Sequence, residues 1–212
     1  MAVTVLHDED ADGDLSNDPN NPTVLQQALD AGVYAISGRA LNSSDILGDP
    51  DYWVLSLEPD TYLSAIRVTE YDNSSYVDVG YGGFLGISEG LLVTATSESV
   101  GNLLGGALVG VEIGTDIGAD VLDNLQDPFN FGPFVIKGIG GELREGSYTF
   151  WFQEGNPTPD TPAFAGGPGP NSADDFVDYT FEFQVSQVPE PSTPLLMTVV
   201  MIAGLLGRRR NP

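Results

Sequence analysis

Tyr148-Thr-Phe-Trp-Phe-Gln153 and Tyr179-Thr-Phe-Glu-Phe-Gln184 share the pattern Y-T-F-x-F-Q. In each, Tyr and two Phe fall on one face of an extended chain at period two, and Thr and Gln fall on the other. A helix would scatter the three rings around its axis, so segments 147–153 and 178–185 read as amphipathic strands, a pair suited to be neighbours in one sheet. Nothing around them repeats, so the pair is not an internal repeat.

Working outward, Gly32-Val-Tyr-Ala-Ile-Ser-Gly38 alternates in the same way. Asp51-Tyr-Trp-Val-Leu-Ser-Leu57 is apolar on both faces, as a strand covered on both sides is. A further strand over 62–69 follows the turn signal Glu58-Pro59-Asp60, and 76–79, 84–87, 91–96 and 134–137 are shorter candidates. Gly 26 and Pro 15 fall between these short apolar runs and punctuate them as turns. Residues 97–126 are Gly-rich and apolar and resist strand assignment, with a short helix expected over 117–125; residues 155–174 read as an exposed Pro/Gly loop. The expected fold class is all-β, an antiparallel β-sandwich of jelly-roll type. Its parts would be an acidic N-terminal segment over 1–30, a sandwich over 31–187 and a tail over 188–212.

The net charge is -24, and three of the seven basic residues (Arg208, Arg209, Arg210) sit together at the end of the chain. Such a body repels nucleic acid, whose binding needs phosphate neutralisation, and it repels anionic lipid surfaces. Cations are its natural partners, although acidity also serves simply to keep an extracellular protein soluble. With Cys 0 there are no disulfides, thiolate metal sites or cysteine nucleophiles. The sole histidine, His7, falls in what reads as a loose terminus, so a Ser-His-Asp arrangement lacks a base; no phosphate-binding loop is present.

The tail reads Val188-Pro-Glu-Pro-Ser-Thr193, then an apolar run over 194–207, then Arg208-Arg209-Arg210. As a helix, those fourteen residues would extend roughly 21 Å at about 1.5 Å each. That is a short transmembrane span against a hydrocarbon core of about 30 Å. The arginines would stay cytoplasmic and the residues before the tail would lie outside. In this order, motif, helix and basic end resemble the PEP-CTERM sorting signal. The resemblance implies that an exosortase, a membrane-embedded processing enzyme, recognises Pro189, Glu190 and Pro191 and removes the helix, delivering the body to the cell envelope, surface or extracellular matrix. Met1 to His7 has neither the basic start nor the apolar stretch of a secretory leader, so an exported product is expected to carry one ahead of this Met1.

The body, in turn, resembles the pre-peptidase C-terminal-like β-sandwich domains of secreted bacterial proteins. Asp12-Gly-Asp-Leu-Ser-Asn-Asp18, Ile36-Ser-Gly38, Gly48-Asp-Pro-Asp-Tyr52 and Gly146-Ser-Tyr-Thr-Phe150 carry that likeness, while 97–126 departs from the usual pattern. This resemblance implies a non-catalytic accessory or adhesive module.

Three features bear on chemistry. Asp8, Asp10, Asp12 and Asp14 stand at alternate positions with Gly13 between the last two, a spacing that lets carboxylates converge on calcium. The twelfth position, however, is Pro19, and no helix precedes the loop; the plainer reading is a solvated acidic segment. Asp49 and Asp51 flank Pro50 at a strand entrance, where Asp ordinarily bonds its own turn backbone and less often ligates a cation. Trp151, opposite the Phe150/Phe152 face, is a candidate to stack on a sugar ring unless a loop covers it. The function expected is a non-catalytic binding, adhesion or structural module, not an enzyme. The rival is a carboxylate-based hydrolase or carbohydrate-binding protein acting on extracellular polysaccharide, since 31 acids include some pairs at catalytic spacing. Apart from calcium, no cofactor is expected.

Overall fold

The computed structural model describes residues 2–25, 28–41, 49–73, 83–93, 102–109, 117–131, 134–154 and 176–189. The fold is mostly β. The strands are β1 (Val3–Asp8), β2 (Thr23–Val24), β3 (Gly32–Leu41), β4 (Asp51–Asn73), β5 (Gly83–Glu89), β6 (Gly105–Val109), β7 (Phe129–Phe131), β8 (Phe134–Ile136), β9 (Leu143–Glu154) and β10 (Phe176–Gln187). Two short helices, α1 (Glu9–Asp12) and α2 (Val121–Gln126), complete the described elements. The main sheet runs β1-β3-β10-β4-β9-β5-β6, with β2 beside β4 and a separate β7-β8 ribbon. It is mixed rather than purely antiparallel, because β1 runs parallel to β3 and β2 parallel to β4.

The two Y-T-F-x-F-Q strands are not hydrogen-bonded neighbours: β4 lies between them. Its first half pairs with β9 (Trp53 opposite Phe150) and its second half with β10 (Ile66 opposite Phe183). Between the halves, Glu58-Pro59-Asp60-Thr61 bulge out of register. Pro59 has no N–H to offer a ladder, and Asp60 takes φ 62. The turn signal thus produces a bulge inside one long strand instead of a reversal between two, and bulges of this kind sharpen a sheet's bend.

The bend brings the aromatic face of β9 onto that of β10. Phe152 meets Tyr179 edge-on at 4.5 Å between centroids and Phe181 at 5.1 Å, and Phe150 meets Phe183 at 5.3 Å. Trp53 stacks on Phe150 at 5.6 Å. These rings are all buried and form the centre of the core. Each large ring removes on the order of 150–250 Å² from water, and the hydrophobic effect over that area holds the two sides of the bend together.

On β10 the opposite face (Thr180, Glu182, Gln184) is half-exposed, as the alternation predicts. On β9 it is not: Thr149, Trp151 and Gln153 are buried. A second apolar cluster joins Trp151 to Tyr52, Phe84, Val93, Leu103 and Ile136. Several of these covering residues come from the segments between β5 and β9, among them Val93, Leu103 and Ile136, with Leu108 of β6 and Phe129 of β7 packed against them. Val93 lies in no strand among the described residues, so the 91–96 expectation fails where it is described. Residues 76–79 and 155–174 lie outside the described residues.

The N-terminal segment is not a loose lead-in. β1 pairs along β3 from Val3↔Val33 to Asp8↔Ser37, and His7 is buried in it. No helix among the described residues is long and apolar enough to cross a membrane; the expected helix over 194–207 lies outside them.

Candidate functional site

Chemistry concentrates where β1 ends. Asp8 caps α1 with extended backbone (φ -140, ψ 109), and its Oδ1 accepts from the Asp10 N–H at 3.2 Å. The Asp8 N–H donates back to Asp12 Oδ2 at 3.0 Å, and Gly13 ends the turn at φ 91. A side-chain oxygen on the early N–H groups and acids in the first turn are what a helix start favours. Asp8, Asp10 and Asp14 line one cavity together with Glu9. Of the four alternating aspartates, Asp14 alone stands, among the described residues, in a group of three carboxylates within ligand reach of one another.

That group is Glu9, Asp14 and Asp51, whose ligand oxygens lie within 4.8 Å of one another. Glu9 is anchored by two backbone donors: Leu15 N–H to Oε1 at 3.0 Å and Arg39 N–H to Oε2 at 2.6 Å. This reach requires Gly38 on β3. A Cβ there would lie 2.8 Å from Glu9 Cδ and 2.8 Å from the Tyr179 hydroxyl oxygen. Asp51 opens β4 with 0% exposure. Its Oδ2 accepts from the Tyr179 hydroxyl at 2.7 Å, while its Oδ1 is buried with no hydrogen-bond partner. Oδ1 of the adjacent Asp49 is likewise buried and unpartnered.

Electrostatics follow from that crowding. Burial pushes the Asp51 carboxyl well above the usual carboxylate range, and Glu9, Asp49 and Asp14 push it further against the Tyr179 hydrogen bond. Burial also raises Glu9, opposed by its two backbone donors, and raises Asp49, with Asp14 adding to it. The Tyr179 phenol is driven well up by burial and then by Asp51. A cavity of about 600 Å³ adjoins the group, lined by Glu9, Asp14, Asp49 and four further acids. Arg39 is the one base in that lining, and its guanidinium forms a two-pronged pair with Asp178 at 2.6 and 2.9 Å.

Glu9 and Asp51 are the site residues that sequence reasoning missed or misjudged. Asp51 was expected to serve a turn; it heads a strand apolar on both faces, and that context was the available signal that its carboxylate would be buried. Glu9 carried no signal, because its partners Leu15, Arg39 and Asp51 meet it only through the fold.

Trp151 needs correction as a sugar platform. It is 4% exposed, stacked on Tyr52 at 5.8 Å and met edge-on by Phe84 at 5.3 Å. No face of its ring is open to a ligand, because the second apolar cluster covers this side of β9.

Of the sorting residues, Pro189 is exposed two positions past the end of β10. The Val188 N–H just before it donates to Asp60 O at 2.8 Å, tying the exit of the chain to the β4 bulge. Glu190, Pro191, Arg208, Arg209 and Arg210 lie outside the described residues.

Residues 187–210 match the family model for the PEP-CTERM protein-sorting motif. No match was found among the curated proteins or among the solved structures compared with the chain. The motif marks the chain as an exported, exosortase-sorted protein.

Proposed function

We propose that this protein is a non-catalytic binding or structural module of the cell surface or extracellular matrix. In this reading the body is a sandwich-type β domain, delivered intact when exosortase removes the tail. The observation that carries it is the junction: the sorting-motif match begins at Gln187, the last residue of β10. β10 lies inside the sheet, paired on both edges, so the body ends where the signal starts. Cleavage around Pro189, Glu190 and Pro191 therefore leaves every strand in place. A signal that reached deeper into β10 than Gln187 would force the protease to pull out a central strand.

A module role also draws support from the two tryptophans, both of which are core residues here and neither of which is offered to a sugar. The hydrolase rival draws on the acidic group, whose ligand oxygens lie within 4.8 Å of one another.

The test is to express the full chain, directed to export by a fused secretory leader, in a host carrying an exosortase and in the same host lacking it. The expected result is a shortened product at the surface or in the matrix of the first host, and a membrane-retained, full-length product in the second. Equal distribution in both hosts would overturn the sorting. Degradation of matrix polysaccharide by the purified protein, lost on substituting Glu9 or Asp51, would overturn the non-catalytic role.

A further inference from the structure

The geometry points to a calcium site formed by Glu9, Asp14 and Asp51, which fastens the N-terminal segment to the head of β4. Two independent observations carry it. First, oxygens of Glu9 and Asp14 in the N-terminal segment and of Asp51 at the head of β4 converge within 4.8 Å. Calcium binds oxygen at about 2.3–2.6 Å, so two oxygens on one ion stand at most about 5 Å apart. The three carboxylates can therefore share an ion nearly as they stand. Magnesium, at about 2.0–2.1 Å and demanding an octahedron, would need them drawn further together.

Second, Asp51 is fully buried, and its Oδ1 has no hydrogen-bond partner although the other oxygen is satisfied by Tyr179. Buried acceptors are almost always paired, and one left unpaired calls for an explanation such as an ion. The neighbours of Asp51 aggravate the deficit, because Glu9, Asp14 and Asp49 bring acceptors rather than donors. A divalent cation at their centre supplies the missing partner and balances three like charges at once. Asp49, whose Oδ1 is also buried without a partner, stands outside this group of three and lines the adjoining cavity. The donor set is all oxygen, which selects a hard cation over zinc or copper. The adjoining cavity gives an entry path and room for the water ligands that calcium keeps.

This site differs from the alternating loop Asp8, Asp10, Asp12 and Asp14, with which it shares only Asp14. The fold would gain a staple between residues 9–14 and residue 51, so that β1 and α1 are held at the sheet by an ion as well as by the β1–β3 ladder.

The experiment uses the full chain in detergent, stripped with a chelator, then titrated with calcium by calorimetry and melted with and without it. Wild type is expected to bind one calcium and to melt at higher temperature when loaded. Asp51→Asn, Glu9→Gln and Asp14→Asn should each weaken binding by about tenfold to a hundredfold, the scale on which lost support at metal sites is felt. Asp12→Asn should bind as wild type does. Asp14 is exposed, so Asp14→Asn keeps the test decisive even if Asp51→Asn fails to fold. No heat and no melting shift in folded wild type would overturn the site. Loss of binding in Asp12→Asn with retention in Glu9→Gln would overturn it in favour of the loop.

Discussion

The Tyr179 hydroxyl donates to Asp51 Oδ2 at 2.7 Å inside the core, joining the head of β4 to the first half of β10. Trp53, two residues along β4, packs on the same tyrosine ring at 6.3 Å, stacked at 19°. One residue therefore contributes a ring to the hydrophobic centre and a proton donor to the acidic group at its edge. The site and the core share a wall, and a change in one is felt in the other.

Removing that donor should be expensive. Tyr179→Phe keeps the ring and leaves a second oxygen of Asp51 buried without a partner. Loss of about 1–3 kcal/mol of stability is expected, read as a lower urea midpoint at unchanged slope. An unchanged midpoint would mean that Asp51 finds another donor.

Gly38 gives a test of close approach. The Cβ of Gly38→Ala would stand 2.8 Å from both Glu9 Cδ and the Tyr179 hydroxyl oxygen, so one of them must move. Overpacking of this kind costs typically about 1–3 kcal/mol. Thermal melts should show the loss, with weaker calcium binding alongside it, whereas Gly141→Ala, where a Cβ meets nothing within 4 Å, should melt much as wild type does.

How much of this was legible beforehand can be traced residue by residue. Tyr179, Phe181 and Phe183 announce β10 because their period holds and the polar face stays half-wet. The same motif misleads on β9: Thr149, Trp151 and Gln153 look solvent-facing, yet residues such as Phe84, Leu103 and Ile136 close over that side. Local alternation reports which residues share a face, not what later segments lay upon it. Glu58-Pro59-Asp60 carries every turn signal and makes a bulge, because tertiary pairing on both sides of β4 outweighs local preference. At the site, the alternation of Asp8, Asp10, Asp12 and Asp14 carries no sign of Glu9 or Asp51, which stand beside Asp14 only once α1 packs on β3 and β4 starts next to it.

Burial of the tryptophans has an optical consequence. Trp53 is 0% exposed and Trp151 4%. Native fluorescence should be blue-shifted and weakly quenched by iodide, becoming strongly quenched on unfolding. Trp151→Ala should cost about 3–5 kcal/mol, as loss of a large core ring does. Ready quenching of the native protein would return Trp151 to the surface and revive the sugar-stacking role.

Alkaline pH should act through Tyr34. Its hydroxyl donates to Asp30 Oδ1 at 2.6 Å, and burial, followed by that carboxylate, pushes the phenol up to about 12. The unfolded phenol titrates near 10, so the folded state favours the protonated form. Its contribution to stability is fully present below about pH 10 and is lost as pH rises through about 12. Denaturant midpoints should fall across that window, and Tyr34→Phe should lessen the fall. An equal slope in both proteins would assign the alkaline loss elsewhere.

The intact mass of the protein recovered from the surface of its own cells tests most directly whether the body ends where its sorting signal begins. The predicted mass ends within the segment around Pro189, Glu190 and Pro191, lacking the apolar run 194–207 and Arg208 to Arg210, with β10 complete to Gln187. A surface protein whose mass still includes those arginines, or one cut inside β10, would contradict it.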